Sequence, residues 1–229
     1  MKTVVFDLDG TLADTSRDLI RAANRCFEAR NFRDPLDPVA DASTAFDGGR
    51  AMLRLGFSRL GESWSEADVD GEYPVFLEHY GRELDRETRL YPHAEEALDT
   101  LLSRDFLLAV CTNKPEALAL ELLRRLGVLD RFRSVLGADT LAVRKPNPIH
   151  LLETIRRAGG ERDASVLVGD TDNDRATAKS AGVPCVLVTF GPRGFEVENL
   201  DPEWLLHDYR QLATLVDVAI GTFHSERCS

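Results

Sequence analysis

The sequence predicts an α/β protein in which a parallel sheet carries helices on both faces and an α-helical cap domain is inserted into the chain. Short apolar runs rich in β-branched residues alternate with amphipathic patterns, which is typical of a parallel sheet with crossover helices. One long segment after the first of these runs shows helical periodicity and no strand pattern. The length of 229 residues suits one large domain with an insertion, so we expect a Rossmann-like core and a cap.

Five apolar runs predict the strands of the sheet. Polar or turn-forming residues bound each run, as expected for strands that are buried on both faces. The third run is the weakest of the five signals. The predicted strands cover residues 3–6, 107–111, 134–136, 166–168 and 185–189.

Amphipathic stretches between these runs predict the helices of the core. Residues 115–126, 149–158 and 173–181 each end directly before a glycine, which is a common signal for a helix C-terminus. A last amphipathic pattern over residues 209–220 predicts a helix that closes the sheet. His150 is expected on the surface of its helix.

The cap is predicted over residues 14–87, and the core over residues 1–13 and 88–229. Thr15 and Asp18 have the spacing of a capping box at the start of the first cap helix. Ser65 and Asp68 have the same spacing before a later helix, and we expect Gly71 and Pro74 to distort that helix.

Composition excludes several classes of protein. The 28 basic and 39 acidic residues give a formal charge of −11, which disfavours a nucleic-acid partner but leaves room for a small anion at a positive or metal-filled pocket. The longest apolar run has six residues, whereas a membrane-spanning helix needs about 20. An acid at position 7 interrupts any signal-peptide apolar region. We therefore expect a cytoplasmic protein that does not bind a membrane.

The four cysteines indicate neither a disulfide framework nor a zinc site. They are scattered through the chain and form no CxxC pair or other zinc-ligand pattern. Cys111 and Cys185 stand inside apolar runs, where a free thiol acts as a small apolar side chain. We expect both to be buried and unpaired.

Four polar clusters follow the predicted strands or lie in the loops between them. Ligands of open α/β sheets bind outside the carboxyl ends of the strands, so these clusters are the candidate site. Each one alone has an ordinary interpretation as a turn, a helix N-terminus or a surface charge. The clusters are Asp7-Leu8-Asp9-Gly10-Thr11, Thr112-Asn113-Lys114, Arg144-Lys145-Pro146-Asn147-Pro148 and Gly169-Asp170-Thr171-Asp172-Asn173-Asp174.

Electrostatics favours a metal site over the ordinary interpretations. Two acidic clusters at neighbouring strand ends would repel by about 4 kcal/mol per close pair at an effective dielectric near 20. One lysine is a poor match for three or four carboxylates, whereas a divalent cation with oxygen ligands fits them. Mg²⁺ is the natural choice, because it takes few carboxylates and keeps water or phosphate oxygens as further ligands.

The four motifs, in this order, resemble those of the haloacid dehalogenase-like phosphatase superfamily, and within it the branch that contains phosphoglycolate phosphatases. The resemblance is carried by DLDGT, TNK, RKPNP and GDTDND. It covers the chain, although the cap matches by position and character more than by sequence. The resemblance implies a phosphatase that acts on a small phosphorylated metabolite, with 2-phosphoglycolate as the leading candidate.

The resemblance also implies a role for each site residue. Asp7 would be the nucleophile that forms an aspartyl-phosphate, and Asp9 the acid that protonates the leaving alkoxide and later activates water. Phosphoryl oxygens would be held by Thr112 and neighbouring backbone N–H groups, with Asn113 as a further substrate-binding candidate and Lys145 offsetting the charge. Mg²⁺ would be bound by Asp7, the main-chain carbonyl of Asp9 and Asp170, with Asp174 in support.

The chemistry itself needs these residue types. A carboxylate nucleophile is repelled by a phosphomonoester dianion until a cation screens it, and a placed acid typically accelerates loss of an alkoxide by 10²–10⁴-fold. Displacement of halide from carbon needs no such acid, and the dehalogenase pattern lacks it. Asp9 therefore favours a phosphatase or a phosphomutase over a dehalogenase.

Three questions stay open at this point. Arg50 follows a glycine-containing segment of the cap, and it is a candidate for binding a substrate carboxylate or an ordinary surface arginine. The chain is either a hydrolase or a phosphomutase of the same architecture, and a regulatory phosphoacceptor similar to a response-regulator receiver is a third alternative. We expect a monomer or a homodimer.

Overall fold

The computed structural model describes residues 1–61 and 63–227. The chain divides into two compact units. The α/β unit consists of Met1–Ala13 and Leu90–Ser229, and the helical unit consists of Asp14–Arg89. The helical unit lies between the two parts of the α/β unit in sequence, and each unit is described separately below.

The α/β unit is built on a parallel six-stranded sheet, so the predicted fold class is confirmed. Its strands are β1 (Thr3–Phe6), β4 (Leu107–Cys111), β5 (Ser134–Leu136), β6 (Ser165–Gly169), β7 (Cys185–Val188) and β8 (Trp204–Leu206), and the short β2 (Ala13–Asp14) and β3 (Arg89–Leu90) pair separately. The strand order is β5-β4-β1-β6-β7-β8, and every neighbouring pair is parallel. The sequence patterns did not predict β8.

Helices cover both faces of the sheet. Successive residues of a strand point to opposite sides, so strands that are apolar throughout need a helical layer on each side. The helices of this unit are α5 (Ala94–Ser103), α6 (Glu116–Arg125), α7 (Pro148–Ala158), α8 (Asp172–Ala181) and α9 (Leu212–Arg227). Val5, Ala109 and Leu167 face one layer and pack with α7 and α8, whose buried residues include Leu151 and Ala178. Helices α5 and α9 pack against each other, with α5 on β4 and α9 on β6 and β8.

Two cysteine expectations are confirmed by the core. Cys111 and Cys185 are free and fully buried in the layer between the sheet and helices α7 and α8. Burial raises the pKa of the Cys111 thiol to about 12, so this side chain acts as a small neutral filler. Cys228 lies outside the described residues.

The helical unit contains α1 (Ser16–Glu28), α2 (Ala42–Phe46), α3 (Gly49–Arg59) and α4 (Glu66–Arg82). Helix α1 begins at the predicted place, but the predicted capping box of Thr15 and Asp18 is wrong. The Asp18 carboxylate instead accepts hydrogen bonds from Glu87 N at 2.9 Å and from Thr88 N and Oγ1, each at 2.8 Å. The Asp18 carboxylate therefore makes a long-range contact instead of the local capping contact that its spacing predicted.

Helix α4 shows the opposite outcome for its cap. Asp68 Oδ2 accepts from Ser65 N and Ser65 Oγ, each at 2.8 Å, so this predicted capping box is confirmed. The helix runs without interruption from Glu66 to Arg82 with Pro74 inside it, so the proline does not end it, and the expected distortion stays a prediction. The buried face of α4, made by Val69, Phe76 and Tyr80, holds the helix together despite the lost backbone hydrogen bond.

Among the helices that the structure describes, none combines the length and the apolar character needed to cross a bilayer.

Candidate active site

The first strand delivers two acids to the carboxyl edge of the sheet. Asp7 directly follows β1, and its backbone N–H donates to Val168 O of β6 at 2.9 Å. The chain then turns sharply, with Gly10 at φ +83° and its N–H donating to Ala13 O at 2.9 Å. Only glycine adopts such a positive φ without steric cost, so Gly10 allows Asp9 to remain near the same edge.

Asp7, Asp170 and Asp174 form a buried acid cluster, which we call the carboxylate cluster. One carboxylate oxygen from each residue lies within 4.8 Å of those of the other two, although the residues come from two separate parts of the chain. Lys145 Nζ lies 2.9 Å from Asp7 Oδ1 and 2.6 Å from Asp174 Oδ1. One buried ammonium group thus contacts two of the three clustered carboxylates.

The pKa values show that this lysine alone does not balance the cluster. Burial raises the pKa of Asp7 to about 6, the charge of Lys145 opposes this shift, and the charge of Asp174 adds to it. Burial, followed by repulsion from Asp174 and Asp7, raises the pKa of Asp170 well above its usual range. Burial disfavours the Lys145 charge, but Asp174 and Asp7 raise its pKa overall. Additional positive charge would therefore stabilise the ionised form of the cluster.

The donor atoms of the cluster fit a hard divalent cation. Asp170 Oδ2 is buried and has no hydrogen-bond partner among the residues that the structure describes. Asp7 Oδ1 likewise lacks a hydrogen bond of good geometry there, although Lys145 Nζ is close. Buried carboxylate oxygens of this kind are costly unless they are paired or coordinate a metal.

Asp174 has less freedom than the other two acids. Its Oδ2 accepts from Thr171 Oγ1 at 2.6 Å and from Thr171 N at 3.1 Å, while Oδ1 is paired with Lys145. Thr171 and Asp174 form the capping box of α8. A Cβ at Gly169 would lie only 2.5 Å from Asp174 Cγ, so glycine is required there. Asp174 is thereby held in place to orient Lys145.

The segment after β4 supplies the candidate phosphate-binding residues. Thr112 is buried, its N–H donates to Leu136 O at 3.0 Å, and its Oγ1 accepts from Lys114 N at 3.2 Å. Asn113 Nδ2 donates to the Lys145 carbonyl at 3.1 Å, which joins this segment to the loop that carries Lys145. The structure thus connects these predicted residues along one edge of the sheet.

Lys114 and Asp9 form a pair that the motif analysis did not identify. Lys114 Nζ donates to Asp9 Oδ1 at 2.7 Å and to Asp9 Oδ2 at 2.9 Å. The two residues are 105 positions apart. Their membership in adjacent motifs at neighbouring strands, β1 and β4, was the sequence signal that could have indicated the pair.

Thr11 and Tyr209 are further supporting residues: Thr11 belongs to the first motif but had no assigned role, and Tyr209 lies outside the four motifs. Thr11 Oγ1 donates to Asp170 Oδ1 at 2.7 Å, and Tyr209 OH donates to Thr11 O at 2.7 Å. Both interactions are buried. Together they fix the Asp170 carboxylate from the side of the first loop.

His150 is fully buried, so its expected surface position is wrong. Its Nε2 lies 3.0 Å from Gly137 O and its Nδ1 lies 3.5 Å from Cys111 Sγ. Burial, followed by the charge of Lys145, lowers the pKa of His150 to about 4, while its hydrogen bond to Gly137 opposes this shift. The neutral ring therefore joins α7 to the loop after β5.

Arg50 belongs to the helical unit, where it contacts other residues of that unit. Its guanidinium lies 4.4 Å from the Tyr73 ring centroid and is hydrogen-bonded to Asp70. Both contacts come from the neighbouring helix α4. Its suggested role toward a substrate carboxylate stays a prediction.

Comparison with known proteins agrees with this arrangement. Residues 4–188 match the family model described as haloacid dehalogenase-like hydrolase. A phosphoglycolate phosphatase from Agrobacterium fabrum is 40% identical over 91% of this chain and 89% of its own length. One from Mesorhizobium japonicum is 38% identical over 91% of this chain and 92% of its own.

Solved structures share the fold. A protein from Haemophilus somnus described as a predicted phosphoglycolate phosphatase has a TM-score of 0.83 and 26% identity, covering 94% of this chain and 97% of its own. A protein from Thermotoga maritima, provisionally described as a beta-phosphoglucomutase, has a TM-score of 0.74 and 24% identity, covering 95% and 100%. The second likeness concerns the fold alone. The expected resemblance to phosphoglycolate phosphatases is confirmed, and the chain belongs to the haloacid dehalogenase-like hydrolase family.

Proposed function

We propose that the chain is a Mg²⁺-dependent phosphatase that hydrolyses a small phosphomonoester through an aspartyl-phosphate on Asp7. The observation that carries the proposal is the carboxylate cluster, buried beside Lys145 at the carboxyl edge of the sheet. In this proposal Asp7 is the nucleophile, the carboxylate cluster is the cation site, and Asp9, two positions after Asp7 in the chain, is the general acid. This combination suits phosphoryl transfer, in which positioning and charge stabilisation dominate catalysis.

The metal is proposed to be held by Asp7, Asp170 and the main-chain carbonyl of Asp9, with Asp174 supporting them. The orphaned Asp170 Oδ2 supports this set, because it has an unused acceptor inside the cluster. Bound Mg²⁺ supplies the positive charge that screens a phosphate dianion from the acids and stabilises the charge of the transition state.

The first chemical step is an attack by an Asp7 carboxylate oxygen on phosphorus. The bond from phosphorus to the leaving oxygen breaks, and Asp9 gives that oxygen its proton. In the second step Asp9 takes a proton from water as the water oxygen attacks phosphorus, and the bond to Asp7 breaks. Inorganic phosphate leaves, and both acids return to their initial states.

Thr112 and Lys145 are proposed to hold the transferring group. The Thr112 hydroxyl oxygen already accepts a hydrogen bond from Lys114 N, so its hydrogen can donate to a phosphoryl oxygen. Lys145 orients Asp7 and offsets negative charge. Asn113 is proposed to contribute through the segment that it ties to the Lys145 loop.

The leading substrate is 2-phosphoglycolate. Two relatives named phosphoglycolate phosphatase, at 40% and 38% identity over most of the chain, support this choice. The helical unit Asp14–Arg89 is proposed to act as the cap that excludes water and shapes substrate choice. A cytoplasmic location and a monomeric or homodimeric state stay predictions.

A phosphate-release screen tests the proposal. The purified protein with Mg²⁺ would be offered 2-phosphoglycolate, sugar phosphates, nucleoside monophosphates and amino-sugar phosphates. We expect the highest kcat/KM for 2-phosphoglycolate, loss of activity with EDTA and recovery with excess Mg²⁺. Absence of phosphate release from every ester, with metal present, would contradict the proposal.

Two alternatives are separated by product analysis. A phosphomutase of the same architecture would isomerise glucose 1-phosphate in the presence of a trace of the bisphosphate without releasing phosphate. A regulatory phosphoacceptor would keep phosphate on Asp7 for minutes without turnover. We place hydrolysis first because Asp9 lies close to the acceptor in sequence, which suits rapid discharge of the intermediate.

A further inference from the structure

We propose that Lys114 selects phosphomonoesters whose leaving alcohol carries a carboxylate next to the leaving oxygen. The inference rests on the proposed function, since it takes Asp9 as the group that protonates the leaving oxygen. It assigns recognition of the substrate anion to the α/β unit itself.

Lys114 is a buried cation placed directly against the proposed general acid. Its side chain is only 2% exposed, whereas the Asp9 side chain is 18% exposed. Its Nζ reaches both Asp9 oxygens, at 2.7 Å and 2.9 Å. The ammonium is therefore screened from solvent, while the Asp9 side chain that it contacts keeps part of its surface exposed.

The backbone around Lys114 holds the ammonium at this place. Lys114 N donates to Thr112 Oγ1 at 3.2 Å, and Lys114 O accepts from Ala138 N at 2.9 Å. A Cβ at Gly137 would come within 2.7 Å of Lys114 O, so the loop after β5 packs tightly on this segment. The side chain thus extends from a rigid base.

The reach of Lys114 matches a carboxylate close to the leaving oxygen. A general acid must lie within about 3 Å of the oxygen that it protonates. Lys114 Nζ, a further 2.7 Å beyond Asp9, is then no more than about 6 Å from the leaving oxygen. The carboxyl carbon of a 2-phospho-acid is two bonds from that oxygen, which brings its own oxygens within hydrogen-bonding distance of Nζ.

The change in the partners of Lys114 during the reaction gives a reason for its selectivity toward esters that carry a carboxylate. To protonate the leaving oxygen, Asp9 must itself carry a proton, and in that neutral form it no longer balances the charge of Lys114. A buried ammonium without an anionic partner is destabilised, and a substrate carboxylate supplies that partner. An ester without the carboxylate offers no such replacement, so its reaction is slower.

The test compares 2-phosphoglycolate with its primary amide, which has nearly the same shape and no carboxylate charge. We expect Lys114→Met to lower the ratio of the two kcat/KM values, acid over amide, by about 10- to 100-fold, as for loss of a charged hydrogen bond. Lys114→Arg retains the charge and should keep most of the preference. Lys179→Met, at an exposed position of α8, is the matched control and should leave the ratio unchanged.

Equal losses on both esters in Lys114→Met would overturn the inference, because Lys114 would then only orient Asp9. It is also overturned if Arg50→Met removes the preference and Lys114→Met does not. Lys114→Gln, which keeps hydrogen bonding without charge, replaces the Met variant should that one fail to fold. A wild-type protein that hydrolyses neither ester would instead contradict the proposed function itself.

Discussion

The α/β unit and the helical unit contain ion pairs of similar geometry but of different environment. In the α/β unit, Lys145 and Asp174 are buried and lie 2.6 Å apart. In the helical unit, Arg54 makes two hydrogen bonds of 2.8 Å to Glu66, yet these side chains are 45% and 60% exposed. Exposed pairs contribute little to stability, whereas loss of a buried partner leaves an uncompensated charge. Burial, and not distance, therefore distinguishes the pair whose loss should be costly from the surface pair.

The largest effect is expected for Asp7→Asn. Loss of the nucleophile should lower kcat by at least about 10⁴-fold, as for removal of nucleophiles in other enzymes with covalent intermediates. Phosphate release with 2-phosphoglycolate measures this loss. Circular dichroism should show an intact fold, because the amide fits the same space and removes one charge from the carboxylate cluster. Retention of more than a few per cent of activity would mean that another group attacks phosphorus.

Asp9→Asn should have a smaller effect that depends on the leaving group. Loss of a general acid typically costs 10²–10⁴-fold with a poor leaving group such as an alkoxide. The loss should be much smaller with p-nitrophenyl phosphate, whose leaving group departs without a proton. The measurement is kcat for this ester and for an alkyl phosphate, compared in both proteins. Equal losses on the two esters would count against the acid role.

The pH dependence of stability should reveal the charge imbalance of the carboxylate cluster. The pKa of Asp7 is raised to about 6, above its unfolded value near 4, so the native state binds this proton more tightly. The resulting stabilisation is complete below about pH 4 and is lost as the pH rises through about 6, with a magnitude of about 3 kcal/mol.

This change is measured by urea unfolding of the EDTA-treated protein between pH 5 and 7.5. Asp7→Asn is the control, since it removes the titrating group and should flatten this part of the profile. Added Mg²⁺ should stabilise the wild-type protein more at pH 7.5 than at pH 5. Identical profiles for the two proteins would show that Asp7 does not titrate in this range.

The smallest effect is expected for Arg54→Met in the helical unit. This change removes an exposed pair and should lower the free energy of unfolding by less than about 1 kcal/mol. It should also leave kcat on p-nitrophenyl phosphate unchanged. Thermal unfolding measures the contribution of this pair to stability. The measurement is made with and without 0.5 M salt, about the concentration that screens exposed charges. A loss of unfolding free energy as large as that expected for a buried ion pair would contradict the difference drawn between the two units.

Much of the core was predictable because its signals are local. A strand buried on both faces needs a short apolar run, and a helix that ends at glycine carries its own stop signal. Strand β8 was not predicted, because its three residues form no apolar run as long as those of the central strands. The Asp18 interaction with Thr88 also escaped, because the spacing of a capping box does not exclude a distant competitor for the same carboxylate.

The sequence by itself determined which chemical groups stand at the carboxyl edge of the sheet, because acids, a hydroxyl and lysines follow its apolar strands. The tertiary structure alone decided which cation meets which acid. Lys114 pairs with Asp9 and Lys145 with Asp7 and Asp174 because β1 lies between β4 and β6 in the sheet. Burial then sets the strength of these charges, and burial depends on the packing of the whole unit and not on any one motif.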